Sequence, residues 1–312
     1  MKENNRKKTI YLILEGRIGN QMFMYAAARA FQKYNNDEID LVIDDSCVRK
    51  LKWENSLIKY DLDNVTYVHS KKELIKYKLS FSYIIWFFYF HFGIRILNYR
   101  QRFEFEKKHQ VFFRKHNIIL CENGYLPMER NIKSNILMRG YYQSEKYFDI
   151  VKDEIINKFR IEDKVSKSDY PNLDKIKFCN SVCISIKVEH NAGNKMYDVC
   201  NRKYWEKAIK YIIDNVENPL FFICSDNVEY VLEHYIDKEK YDAVFQSRDY
   251  PVDISLGVMS CCKHFIIGNT SFGWWAQYLS SYKDKIVVAP SRWYGIDVPC
   301  DIYQDNWVLI DV

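Results

Sequence analysis

The chain has 312 residues, 48% of them apolar and 16% aromatic, enough for one large domain or two smaller ones around a sizeable core, which excludes a disordered chain. Lysine and arginine number 46 against 41 aspartates and glutamates, a net +5 that suits phosphorylated ligands or anionic membrane faces and is too small to argue for nucleic-acid binding. Nine cysteines form an odd set from Cys47 to Cys300 without a Cys-x-x-Cys pair, which argues for reduced thiols and against a disulfide framework or a zinc site.

Met1 to Lys8 is charged and precedes only a short apolar run before Glu15. It reads as a disordered lead-in rather than a secretory signal, which points to the cytoplasm. A β-like run, Thr9 to Leu14, leads into Gly16-Arg17-Ile18-Gly19-Asn20-Gln21 and then a helix-like run, Met22 to Tyr34, whose Phe23, Ala26, Ala27, Ala30 and Phe31 have the spacing of one buried face. A glycine-bearing strand-to-helix turn is an anion-binding device, because small residues let backbone approach a phosphate while the helix amides point at it. Gly19, Asn20 and Gln21 are therefore candidate phosphate-binding residues; the plain alternative is a tight turn whose glycines serve only the backbone.

Ile39 to Ile43 reads as a second strand, and Trp53 to Lys115 as a helical, basic, aromatic insertion with no glycine between Gly19 and Gly93. Within it Phe81 to Phe92 is aromatic almost throughout, with Lys71, Lys72, Lys76 and Lys78 before it and Arg95, Arg100 and Arg102 after. A bilayer crossing needs roughly 20 apolar residues, so this stretch reads as a core helix or as an interfacial helix giving peripheral membrane contact. A helix over Ser144 to Phe159 and the polar stretch Ile161 to Asn172 mark a boundary between residues 1–160 and 161–312. Beyond it strands and helices alternate: strand Ser181 to Ile186, a helix marked by Trp205, Ala208, Ile209, Ile212 and Ile213, strand Leu220 to Cys224, helix Asn227 to Tyr235, and strand Ala243 to Phe245. Helix Asp253 to Cys262, strand His264 to Ile267, helix Phe272 to Ser281 and strand Lys285 to Ala289 complete the series. Such alternation implies a parallel sheet covered on both faces, with ligands at the carboxyl ends of the strands.

Three loops would meet at that edge: Lys187 onward, Ser225-Asp226, and Asn269-Thr270-Ser271. The Asp226 carboxylate can accept paired hydrogen bonds from a purine edge, or Ser225 and Asp226 can simply cap a helix. Two hydroxyls and a helix N-terminus at Asn269-Thr270-Ser271 can grip a pyrophosphate, or merely cap. Asp44-Asp45 and Asp61-Leu62-Asp63 are acidic pairs of the kind that hold a divalent metal against a diphosphate, without a spacing that completes a ligand set.

Gly16-Arg17-Ile18-Gly19-Asn20-Gln21-Met22-Phe23, Gly140-Tyr141-Tyr142-Gln143-Ser144-Glu145-Lys146-Tyr147-Phe148, Gly268-Asn269-Thr270-Ser271-Phe272-Gly273-Trp274-Trp275, Ser225-Asp226 and Ala289-Pro290-Ser291-Arg292-Trp293-Tyr294 resemble, in order, the family 11 glycosyltransferases, which are α-1,2-fucosyltransferase-like enzymes. The resemblance implies an α/β GT-B fold, two Rossmann-like halves with parallel sheets facing a cleft, here with the helical aromatic-rich insertion. It implies a GDP-fucose donor, inversion at the sugar carbon, no metal, and a galactose-containing oligosaccharide or lipid-linked glycan as acceptor. The N-terminal half would serve the acceptor and the C-terminal half the nucleotide sugar, with Asp226 reading guanine and Thr270 and Ser271 binding phosphate. The family's His-x-Arg-Arg-Gly-Asp motif is replaced by Lys187-Val188-Glu189-His190-Asn191-Ala192, which strikes the phosphate grip. Lys187, His190, or a cation from the loop such as Lys195 or Arg202 could supply the charge, and Glu189 or Asp198 the general base. A catalytically impaired homologue that binds nucleotide or glycan as a scaffold is the alternative.

Overall fold

The computed structural model describes residues 7–68, 75, 77–161, 164–165, 170–189, 191–237, 239–246 and 250–312. Two parallel sheets carry the chain. The first holds β1 (Lys8–Ile13), β2 (Ile39–Asp44), β3 (Val65–Tyr67), β4 (Ile118–Cys121) and β5 (Ile136–Gly140) in the order β3-β2-β1-β5-β4. The second holds β6 (Asn180–Ile186), β7 (Pro219–Ser225), β8 (Ala243–Phe245), β9 (His264–Ile267), β10 (Val287–Pro290) and β11 (Val308–Ile310) in the order β11-β10-β9-β6-β7-β8. Counted from β6 this is the 3-2-1-4-5-6 order of a Rossmann sheet, so its topological switch point lies between β6 and β9; in the first sheet the direction reverses between β1 and β5. β6 is buried on both faces from Ser181 to Ile186, as a doubly covered parallel strand requires, with only the small Ser181 and Ser185 interrupting its apolar residues.

The chain forms two compact units, Met1–Ile155 with Asp297–Ile302, and Ile156–Ile296 with Tyr303–Val312. The division thus falls inside the helix Lys152–Phe159 rather than after residue 160, and a short C-terminal segment returns to the first unit. Asp301 holds that segment there, accepting from Ser144 Oγ at 2.7 Å and Lys146 Nζ at 3.0 Å, and Asp297 pairs with Arg100. Residues 144–151, expected as helix, form two 3₁₀ turns, Glu145–Tyr147 and Asp149–Val151, because the Ser144 hydroxyl, Asp301 and the buried Tyr147 fix a tighter path. The first helix starts at Ile18, four residues earlier than expected, and is buried on nearly every side rather than on one face; Ala26, Ala27, Ala28 and Ala30 allow that close packing.

The insertion differs from expectation in containing β3, three residues too short to show a period. Its helix Phe81–Phe88 runs on through a π-turn, Tyr89–Gly93, into Ile94–Ile96. Trp86 packs into a cluster with Ile13, Val68, Tyr77, Phe113, Ile118, Leu120 and Leu137, and Tyr83, Tyr89 and Phe90 lie against it. A buried charge group sits beside this contact. Arg139 of β5 donates to both oxygens of Glu15 at 2.7 Å and to Glu122 at 2.9 Å, and its guanidinium lies 4.2 Å from the Phe90 ring. Glu106, in the helix Tyr99–Lys108, accepts from the Tyr89 hydroxyl at 2.9 Å and the Glu122 amide at 3.2 Å. Burial, and then the neighbouring Glu122 carboxylate, raise the Glu106 pKa to about 7. A carboxyl that holds its proton more tightly folded than unfolded contributes fully below the ordinary carboxylate range and loses that contribution as pH rises through its folded value. Stability measured by urea unfolding is therefore expected to fall by about 2–3 kcal/mol between pH 5 and pH 8 through this group, and Glu106→Gln to flatten the slope. A Glu106→Gln variant with the wild-type slope would place the dependence elsewhere.

Candidate active site

At the switch point of the second sheet, β6 and β9 end side by side and their chains part. A small concave pocket opens there, lined by Lys187, Asn191 and Ala192 after β6, by Tyr197 and Asp198 further along the same loop, and by Thr270 after β9. Trp205, Cys200 and Tyr235 form more of its wall. Sequence reasoning placed Trp205 in a helix core and gave Tyr235 no role, since an aromatic ring carries no motif that separates a pocket wall from a core.

Asp226 comes directly after β7. Asn227, not Asp226, caps the helix Val228–His234 by accepting from the Tyr230 amide at 3.0 Å, and Ser225 Oγ accepts from the Asn227 amide at 3.0 Å. Released from capping, Asp226 accepts from the Val188 amide through Oδ1 at 2.8 Å and forms an ion pair with Lys187 through Oδ2. Both side chains are partly open, 27% for Lys187 and 20% for Asp226. The cation expected at the phosphate and the carboxylate expected at the base are thus partners of each other.

Thr270 is the cap of the helix Ser271–Leu279, its hydroxyl accepting from the Gly273 amide at 3.1 Å, and Ser271 is the first helical residue. The helix comes this close because Gly273 has no side chain: a Cβ there would stand 2.9 Å from Ser185 Oγ and 3.1 Å from Ser185 Cβ. Asn269 differs from expectation. Its amide donates to the Tyr197 carbonyl at 3.1 Å and the Trp293 carbonyl at 2.9 Å, so both protons are spent joining two loops and none is left for a ligand. Asn269→Ala is expected to cost about 2–4 kcal/mol in thermal or urea unfolding by leaving two carbonyls unpaired, and to weaken ligand binding through loss of loop order. Unchanged stability would show that water replaces those bonds.

Asp198 lines the pocket and accepts from the Gly193 amide at 2.8 Å. Glu189 is exposed on the turn outside the pocket lining, and His190 lies outside the described residues. Lys195 is exposed, and Arg202 pairs with Glu206 at 2.8 Å one helical turn along.

In the first unit the corresponding switch point gathers Gly16 to Gln21 after β1 and Tyr141 to Gln143 after β5, which ends at Gly140. Gly19, Asn20 and Gln21 form the first helical turn. Gln21 is fully buried; its Nε2 donates to the Gly16 and Glu54 carbonyls at 2.9 and 2.8 Å and its Oε1 accepts from the Ser56 amide at 2.8 Å. It is a strut rather than a ligand group, which corrects its expected role. Asn20 is half-buried and accepts from Gln143 Nε2 at 2.8 Å, tying the two motifs together. Asp44 and Asp45 serve local structure: Asp44 accepts from the Ser46 amide at 3.0 Å, and Asp45 binds Asn55 at 3.1 Å and Arg49 at 2.7 Å. Among the described residues no group of three or more His, Cys, Asp or Glu is placed to hold a metal ion.

The fold is that of the fucosyltransferase NodZ from Bradyrhizobium, whose crystal structure superposes with a TM-score of 0.50 at 12% identity, over 87% of this chain and 93% of that one. Two Rossmann-like units of this kind define a GT-B protein. The profile of glycosyl transferase family 11 matches residues 127–311, more than half of the chain, and the protein belongs to that family. It is 26% identical over 317 residues to the O-antigen biosynthesis glycosyltransferase WbnK of Escherichia coli, covering 96% of this chain and 99% of that protein. It is also 26% identical over 319 residues to an alpha-1,2-colitosyltransferase of Escherichia coli, covering 96% and 97%. The protein is a glycosyltransferase.

Proposed function

We propose that the protein transfers fucose from GDP-fucose to a galactoside hydroxyl, with inversion, during assembly of a surface polysaccharide in the cytoplasm. The acceptor would be a galactose-containing oligosaccharide or a lipid-linked glycan, held by the first unit near Asn20. The observation that carries this reading is Asp226: a carboxylate just after β7, excused from helix capping and paired with Lys187, which lines the switch-point pocket. Such a group suits the paired N–H donors of guanine. The N-terminus of the helix Ser271–Leu279, with Thr270 and Ser271, suits the diphosphate without a metal, and Lys187 supplies the positive charge that leaving GDP requires. Asp198 and Glu189 are both exposed, but only Asp198 lines the pocket, which makes it the better placed to take the acceptor proton. The scaffold alternative is disfavoured by relatives, alike over nearly their whole length, that are named as transferases.

Calorimetric titration with GDP and with UDP, each with and without EDTA, tests the donor. GDP-selective binding unchanged by EDTA is the expected result. Preference for UDP, or loss of GDP binding in EDTA, would overturn the donor assignment, and binding of neither nucleotide would restore the scaffold alternative.

A further inference from the structure

The segment Phe81–Ile96 carries apolar and aromatic side chains on both its faces, yet the described residues cover only one of them. Tyr83, Trp86, Tyr89 and Phe90 face the first unit's core. On the other side Phe81, Ile84, Phe88, Phe92 and Ile96 are exposed by 66, 39, 56, 62 and 79%. Their spacing of three, four, four and four residues makes one stripe, and the wider π-turn Tyr89–Gly93 keeps its second half in line with the first. The Phe88 and Phe92 rings stack at 5.9 Å with planes 16° apart, as neighbours on one face do. Phe112, 48% exposed, extends the stripe across His116, whose ring lies 4.6 Å from it and 5.4 Å from Phe81. A helix apolar on both faces belongs in a core or against lipid, and here no described residue covers the second face.

Charge selects the occupant. Between Glu73 and Glu104 the sequence has no carboxylate; Arg100 pairs with Asp297, while Lys78, Arg95 and Arg102 supply basic charge, with Arg95 exposed beside Ile96. Aromatic residues with basic neighbours suit the headgroup zone of an anionic bilayer. Among the described residues no helix is long and apolar enough to cross a membrane, so the geometry is that of an element lying in the surface. We propose that the outer stripe of Phe81–Ile96 seats the protein on an anionic lipid surface. The inference does not depend on the identity of the donor sugar.

Sedimentation of the whole protein with vesicles of phosphatidylcholine, alone or with about one-third phosphatidylglycerol, tests it. The expected result is binding to the anionic vesicles at least about tenfold stronger than to the neutral ones, reduced at least about tenfold by Phe88→Ser/Phe92→Ser. Arg95→Gln should reduce it by roughly fivefold. Both substitutions fall on exposed side chains, so thermal midpoint and GDP affinity should stay at wild-type values. Wild-type protein left in the supernatant with anionic vesicles would overturn the proposal. So would vesicle binding insensitive to the double substitution. A self-association that Phe88→Ser/Phe92→Ser abolishes, without vesicle binding, would assign the stripe to a second copy instead.

Discussion

Gly140→Ala is expected to prevent the first unit from reaching its native state. A Cβ at this position would stand 2.0 Å from the Cys121 carbonyl oxygen, 2.4 Å from its carbon and 2.9 Å from the Cys121 nitrogen, and the residue has φ +138°, a region that side chains disfavour. The obstructing atoms are backbone of β4, held in register with β5 by Cys121 opposite Gly140, so relief requires the two strands to separate. A loss above about 4–5 kcal/mol consumes most of the net stability of a typical domain. The residues just after Gly140 make the loss functional as well. Tyr142 is fully buried with φ +50° and donates its hydroxyl to the Ile119 carbonyl at 3.0 Å; Gln143 holds Asn20, and Ser144 holds Asp301. Urea unfolding monitored by near-ultraviolet dichroism reads the effect. Gly193→Ala is the control, since that glycine also has positive φ (+76°) but meets nothing within 4 Å, so its cost is only the local strain of about 1–2 kcal/mol. A Gly140→Ala protein as stable as Gly193→Ala would show that β4 can yield.

This pair of glycines also shows what a sequence can disclose. The ordered motifs pointed to the fold, because a parallel Rossmann sheet demands strand, turn and helix in fixed succession, and each is visible in apolar spacing. They did not separate scaffold from ligand group. Gln21, Asn269 and Gly140 are motif residues whose work is to join backbone segments far apart in sequence, such as Asn269 with Tyr197 and Trp293. No local pattern announces a partner 72 residues away. The Asp226 assignment was equally balanced from sequence, because Ser, Asp and Asn in a row all cap helices well; only the bond from the Tyr230 amide to Asn227 settles which one does. Similarly β3 and the return of Asp297–Ile302 were missed, since three residues show no period and a chain crossing back leaves no mark in composition.

Lys187→Ala and Asp226→Asn are expected to affect donor binding in different ways, although the two side chains are bonded to each other. In the free protein both Asp226 oxygens are engaged, Oδ1 by the Val188 amide at 2.8 Å and Oδ2 by the Lys187 ammonium. On the proposed donor reading, a guanine base would reach Oδ2 by displacing Lys187, and the displaced ammonium would turn to the diphosphate of the same ligand, within the pocket it lines with Thr270. Asp226→Asn removes the acceptor for the base, so GDP should bind about 1.5–3 kcal/mol more weakly, or roughly 10–150-fold, while UDP changes little and discrimination between them disappears. Lys187→Ala removes the phosphate charge, so GDP and UDP should both weaken by about 1.5–3 kcal/mol, with discrimination kept. Guanosine, which has the base and no phosphate, separates this from a purely supporting role. With the ion pair gone, nothing competes for Oδ2, and guanosine should bind Lys187→Ala at least as tightly as it binds the wild type. If guanosine instead weakens as much as GDP does, Lys187 acts by holding the carboxylate in place, and the charge that releases GDP must come from the helix N-terminus at Ser271 alone.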